Sequence, residues 1–486
     1  MSQPDDGTES IVTGEQLVAT WERILGADHP DTLTARDNLA EAYRAVGRAA
    51  EAIALHERTL ACRERTLGTD HADTLTSRNN LAVAYCNAGR STEAISLLEQ
   101  TLADRAQFLG ADDPATLTSR NNLAEAYRAA GRTAEAIALH EQALADRERI
   151  QGADYPGTLT SRSNLALAYY SAGRTAEAIA LHEQTLASRE WVLGADHPAT
   201  LTSRSNLALA YQAAGRTAEA IALHEQTLAD RERILGADHP ATLASRGNLA
   251  VAYYNAGRTA EATASHEQTL AAQERLLGAN HPATLASRGN LALAYQAAGR
   301  TAEATALHEQ TLAIREQTLG ANHPATLTSR NNLAGAYRAA GRTAEAITLY
   351  ESALAGRKRL LGASHPATLQ SRSNLAIAYQ DAGRTAEAIT LHEQTLATRE
   401  QTLGADHPDT LTSRNSLAGA YWTAGRAAEA ITLFESALAG RERLLGDDHP
   451  ATLTSRGNLA IAYEAAGRTA EAIALHEQIV AARNGP

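Results

Sequence analysis

Histidine offers the most obvious chemistry in this 486-residue chain: 17 of them would be ample for a metal centre or for proton transfer near neutral pH. Their spacing argues against both. All stand at two registers of a 42-residue period: eight (His56, His140, His182, His224, His266, His308, His392, His476) at one, and nine, such as His197 before Pro198, at the other. The first register also takes Leu98, Tyr350 and Phe434, so it asks for bulk; the second takes Asp113 and Tyr155, so it tolerates loss of imidazole. His-Glu-Gln-Thr-Leu opens like the helical zinc-protease motif but has no second histidine one turn on. Cys62 and Cys86 stand 24 residues apart at different registers and form no C-x-x-C pair, which predicts plain thiols and not a zinc or redox site. No Gly-rich phosphate loop, G-x-S-x-G elbow or carboxylate pair stands out from the period. The sequence therefore predicts no catalytic residue, no metal and no cofactor.

What positions these residues is the period itself. Gly26, Gly68, Gly110 and their successors to Gly446 recur every 42 residues without insertion, and eleven units fill the chain from about Asp28. So uniform an array reads as one solenoid. In the fifth unit Leu201, Leu207, Ala208 and Tyr211 share a helical face. Gly215 suits the left-handed residue that ends a helix. Thr217 is expected to cap the next helix, with Glu219 in its first turn, although Ala49 and Ala427 replace the hydroxyl in two units. The second helix carries Ala220, Ile221, His224 and Leu228 on one side and stops at Gly236; Pro240 fits the first turn of the helix that follows.

Leu-Ala-x-x-Tyr on the first helix, and Ala with a bulky residue four later on the second, resemble the tetratricopeptide repeat (TPR). The 42-residue spacing, with Leu-Gly-Ala-Asp-His-Pro and Asn-Leu-Ala-x-Ala-Tyr, resembles the kinesin light chain type of that family, in place of the usual period of about 34. The resemblance covers more than nine-tenths of the chain. It implies an all-α fold: a right-handed TPR superhelix (α-solenoid) of eleven helix-turn-helix repeats plus an N-terminal half repeat. The expected layout is a disordered tail over 1–13 and a single solenoid over 14–483, opened by a capping helix at 14–25, with a C-terminal tail at 484–486. Ile479 and Val480 lie on a last helix that nothing shields, so end-to-end contact between copies is expected there.

The near-identical units also point to where a ligand would be read. Variation concentrates on the first helix at the residue after the tyrosine (Arg44, Cys86, Arg128, Tyr170, Gln212, Tyr254, Gln296, Arg338, Gln380, Trp422, Glu464) and three residues before that (Glu41, Val83, Glu125, Leu167, Leu209, Val251, Leu293, Gly335, Ile377, Gly419, Ile461). Sites three apart share a helix face, and the resemblance implies that this face lines a concave groove. The predicted partner-binding residues are Arg44, Arg128, Leu167, Tyr170, Leu209, Gln212, Val251, Tyr254, Leu293, Gln296, Arg338, Gln380 and Trp422. Repeats 4 to 7 supply an apolar strip with aromatic anchors, whereas Glu41 beside Arg44 and Glu125 beside Arg128 are set to neutralise each other. Recurrent arginines (Arg36, Arg48 and every 42 after each) with matching Glu51-type residues suggest ion-pair ladders along the stack, a basic groove being the rival. Asn38, Asn80, Asn122 and their successors suit either backbone contacts between repeats or the backbone of a bound peptide.

These features predict a non-catalytic scaffold that grips a peptide or helix of a partner protein. The alternatives are a sensor module of a bacterial signalling system and a self-assembling rod. A net charge of −12 argues against nucleic acid, whose phosphates need clustered cations. No apolar run reaches the roughly 18–20 residues of a membrane span, and the polar, acidic N-terminus is not a secretory signal, so a cytoplasmic site is expected. The Ala- and Arg-rich composition, with Lys358 as the one lysine, suggests a high-GC bacterial gene and speaks against a lysine-based carboxylate clamp.

Overall fold

The computed structural model describes residues 8–45 and 48–484. Within them lie 23 helices and no strand. Helix α1 (Thr8–Ile24) is followed by α2 (Pro30–Ala45) and α3 (Ala49–Leu67), the first of eleven antiparallel pairs; the two members of each pair are called helix A and helix B below. α1 begins six residues before the expected capping helix, because Ile11 and Val18 bury together against Leu39 and Tyr43 of α2. The last helix runs on to Asn484, into the segment expected as tail. The expected disorder over residues 1–7 lies outside the described residues.

Each boundary has a chemical cause. In repeat 5 helix A spans Pro198–Ala213, with Pro198 in its first turn and His197 as N-cap: Nδ1 accepts from the Ala199 N–H at 3.2 Å. The other eight histidine loops cap in this way, and Asp113 does the same with a carboxylate oxygen, 2.8 Å from Ala115 N. The loop register therefore asks for a side-chain acceptor, not for imidazole. At the other end Gly215 takes φ +73°, and the Arg216 N–H bonds the Tyr211 carbonyl at 2.9 Å, the left-handed ending predicted for it. The predicted hydroxyl cap is not made. Thr217 is already inside helix B and its hydroxyl donates back to the Gly215 carbonyl at 3.3 Å; the N-cap is Arg216, whose side chain bonds Glu219 instead. That is why alanine serves equally well at this position.

Packing is close because the facing residues are small: Ala208, Ala210 and Ala220 are fully buried, with Leu201, Leu207 and Ile221 beside them. A second joint links successive repeats. Arg189 is buried, and its Nη1 donates to the Ala199 carbonyl (3.1 Å) and to Ser203 Oγ (2.6 Å) of the next helix A. The same clip recurs at Arg105, Arg147, Arg231, Arg315, Arg357, Arg399 and Arg441. Its partners are neutral, so desolvation pulls the guanidinium pKa down, yet a group this basic stays charged.

The array coils until it meets itself. His365 Nε2 lies 2.9 Å from the Ala129 carbonyl, His407 Nε2 3.1 Å from that of Ser171 and His449 Nε2 3.2 Å from that of Ala213. Because Nδ1 already accepts from the backbone, Nε2 carries the proton and donates. Each contact joins the A–B turn of one repeat to the B–A loop six repeats on. A methyl group at Gly131 would sit 2.8 Å from Pro366 Cδ, and one at Gly215 2.9 Å from Pro450 Cδ, whereas the same turn at Gly257, Gly299, Gly341, Gly383, Gly425 and Gly467 meets nothing within 4 Å. The A–B turns line one edge of the ribbon and the B–A loops the other, so this seam of repeats 2–5 against 8–11 closes the ribbon side to side.

Candidate functional site: the inner face of the A helices

Neighbouring A helices touch one another directly while the B helices lie farther apart, which puts the A helices on the inside of the curve. The tyrosine of Asn-Leu-Ala-x-Ala-Tyr is a fixture of that wall. Its hydroxyl donates to a glutamate of the preceding helix B (Tyr211 to Glu183, 2.8 Å), and the arginine after the turn lies over its ring (Arg216, 3.9 Å to the centroid) while bonding Glu219. All eleven tyrosines carry such an arginine. These turn arginines pair first within their own helix start, and three of them also bridge to the preceding helix B: Arg300 to Glu267 at 3.4 Å, Arg342 to Glu309 at 3.9 Å and Arg468 to Glu435 at 3.3 Å. The helix A arginines bridge as well: Arg204 reaches Glu190 of the preceding helix B at 3.2 Å and Asp230 of its own repeat's helix B at 2.7 Å.

The predicted groove residues divide into two sets. Arg44 is held by Glu41 at 2.7 Å, Arg128 is bound to Glu125, and Arg338 reaches Asp381 of the next repeat at 3.1 Å; the basic-groove reading loses these three cations to intramolecular partners. The apolar set stays open. Tyr170 and Tyr254 are each 42% exposed and Leu293 41%, with Leu167, Leu209, Val251, Gln212 and Gln296 half-buried among them. Gln380 and Trp422 line a cavity of about 420 Å³ in repeats 9–11, together with Ile377, Gly419, Phe434 and Ile461. A Cβ at Gly419 would meet nothing within 4 Å, so the glycine that interrupts the apolar series leaves room there for a guest. Gln380 and Trp422 are among the residues predicted from the sequence, but the apolar strip predicted there lies in repeats 4–7; Gly419 between Ile377 and Ile461 is the sequence signal for a pocket here.

Three of the recurrent asparagines bond an asparagine of the preceding repeat: Asn122 Nδ2 donates to Asn79 Oδ1 at 3.1 Å, Asn374 to Asn331 at 3.4 Å and Asn458 to Asn415 at 3.2 Å. Before Asn206, Asn248, Asn290 and Asn332 the partner register holds Ser163, Ser205, Gly247 and Gly289, so through the middle of the array that asparagine acceptor is missing.

Beneath the groove lie the helix B histidines. His140, His182, His224, His266, His308 and His392 are buried, and burial holds each near pKa 4. Leu98, Tyr350 and Phe434 bury equally at this register, as expected of a position that wants volume. Burial likewise pushes the Cys86 thiol up to about 11, with Glu125 adding to it. Among the described residues no group of three His, Cys, Asp or Glu side chains could hold a metal ion, and no helix is long and apolar enough to cross a membrane.

The tetratricopeptide repeat pattern matches in eleven overlapping stretches, from residues 5–65 to 410–484, that together span the array. The chain belongs to the tetratricopeptide repeat family. A crystal structure of kinesin light chain nearly identical TPR-like repeats from Podosopora anserina is 41% identical over 41% of this chain and 95% of its own, with a TM-score of 0.37. BtubC (BKLC) from P. vanneervenii is 23% identical over 48% of this chain and 94% of its own (TM-score 0.40). Rap protein complexed with Competence and Sporulation Factor is 12% identical over 84% of this chain and all of its own (TM-score 0.45). Among curated proteins no match is found. TPR proteins generally mediate protein–protein interactions and as scaffolds are in general non-catalytic.

Proposed function

We propose that this TPR chain is a non-catalytic scaffold whose inner face holds a polypeptide segment of a partner protein. The observation that carries this reading is the run of solvent-accessible apolar side chains on the A helices, with Tyr170, Tyr254 and Leu293 open in the middle and the Trp422 cavity near the end. Aromatic anchors of this kind concentrate interface energy. Two further features favour a peptide: the asparagine amides of repeats 5–8 stand beside that strip without the asparagine acceptor found elsewhere, and the cavity is sized for one or two large side chains. The same reading places the protein in the cytoplasm, in keeping with its two free cysteines.

The test is capture of partners from native lysate of the source cells, compared between wild type and a Tyr170→Ala/Tyr254→Ala/Trp422→Ala chain. Because the tyrosines are partly exposed, folding should survive, and circular dichroism checks it. Partners retained equally by both chains would refute the assignment.

A further inference from the structure

The seam leaves two edges of the coil unused. In the second turn, the B–A edge packs on the turn below: a methyl at Gly89 would lie 3.1 Å from Leu361 and 3.2 Å from Pro324, and Leu360, Leu361, Leu444 and Leu445 are half-buried. In the first turn the same edge has no turn below it, and its apolar residues are open. Phe108 is 48% exposed, Ile150 40%, Tyr155 51% and Val192 44%, and Trp191 reaches 87%. A strip of this kind, one large side chain after another over three adjoining repeats, is more than a lone protein ordinarily leaves to water.

The opposite edge shows the complementary surface. The turn of repeat 8, from Tyr337 to Ile347, has the same sequence as that of repeat 3, from Tyr127 to Ile137, and nearly the same backbone, Gly341 at φ +76° against Gly131 at +78°. Ala129 and Ala130 are half-buried by the seam; Ala339 and Ala340 are exposed. Among the described residues, each coil thus presents at one end the apolar half of the seam and at the other the turn half, neither of them covered.

We propose that the occupant is a second copy of this chain: the first-turn B–A edge of one molecule seats on the last-turn A–B edge of the next, repeating between molecules the seam that joins turns within one. The contact is heterologous and runs head to tail along the coil axis, so every addition leaves a free edge at each end and builds short stacks that lengthen with concentration. The surface differs from the bare last helix that the sequence indicated. There Ile473 and Val480 are 52% and 56% exposed, but no contact elsewhere in the molecule shows what a second copy would place on them beyond another helix A.

Sedimentation velocity from 1 to 100 µM separates the possibilities. Wild type should rise from the 51.4 kDa monomer towards dimers and longer stacks. Ile150→Glu/Val192→Glu blocks one edge and Ala340→Glu/Ala382→Glu the other, and each alone should remain monomeric. Mixed in equal amounts they keep one intact edge apiece and should give a dimer that grows no further. An Ile473→Glu/Val480→Glu chain should stack like wild type. A wild type that stays monomeric at 100 µM, edge variants that associate as before, a mixture that stays monomeric, or association abolished by the Ile473/Val480 pair would each overturn the proposal.

Discussion

A single imidazole shows how burial, not chemistry, governs this chain. His224 is 1% exposed and neither ring nitrogen has a hydrogen-bond partner. It is held near pKa 4 by desolvation, against about 6.5 in an unfolded chain. The unfolded state therefore takes up a proton as pH falls below about 6.5, while the folded state resists until about 4. The histidine's contribution is complete above that range, shrinks as pH drops through it and levels off below. At pH 5 the loss is about 2 kcal/mol per histidine of this kind, and His140, His182, His266, His308 and His392 share the behaviour. Replacing His182, His224 and His266 by phenylalanine, the residue that serves at 434, should shrink the fall in urea-unfolding stability between pH 7 and pH 5 by several kcal/mol. An unchanged fall would mean that these rings are protonated in the folded state. The sequence disclosed this register well, since Leu98, Tyr350 and Phe434 betray a demand for volume; the loop register was half legible, because Asp113 betrays an acceptor but nothing betrays what Nε2 does.

At the scale of the element, the helix pair was legible because its glycines and prolines act locally: Gly215, Gly236 and Pro240 each do what their backbone chemistry allows. Thr217 misled because its hydroxyl lies one residue inside the helix, a displacement that composition cannot reveal. The joint between pairs was invisible for another reason. An arginine near the end of helix B reads as a solvated charge, and only the three-dimensional stack brings the next helix's carbonyl and serine over it. One repeat lacks the clip. Gln273 stands at the register of Arg231 and Arg315, is buried and has no partner for Oε1. Ala283 and Ser287, ten and fourteen residues on, are the equivalents of the acceptors that Arg231 uses. Gln273→Arg should therefore install the missing joint between repeats 6 and 7 and stabilise it by about 1–2 kcal/mol, the worth of charge-assisted hydrogen bonds less the cost of burying the charge. Arg231→Met should cost a similar amount, because it leaves a serine and a carbonyl unpaired. Hydrogen exchange of the two flanking helices measures both; a Gln273→Arg chain that exchanges faster there would show that desolvation outweighs the bonds gained.

Across the whole molecule, the decisive feature is that the ribbon closes on itself, and closure changes what the inner face can admit. Repeats 2–5 contribute turns and repeats 8–11 contribute His-Pro loops. The loops that depart from His-Pro, at Ala72, Asp113 and Tyr155, all belong to repeats 2–4, whose B–A edge has no turn below it; in the second turn, where the imidazole bonds a carbonyl six repeats away, His-Pro is uniform. That asymmetry was present in the sequence, but reading it requires the number of repeats per superhelical turn, which no single unit encodes. Gly131 and Gly341 isolate the effect. Their surroundings in the chain are identical and both need positive φ, so alanine costs each about 1 kcal/mol of local strain. Only at Gly131 would the new methyl also press on Pro366; at Gly341 it points into open space. In X-ray scattering at micromolar concentration, Gly131→Ala should lengthen the particle as the seam parts, while Gly341→Ala should scatter like wild type. Equal profiles from the two would mean that the turns are not held together in solution, and the inner face would then be an open trough along its whole length.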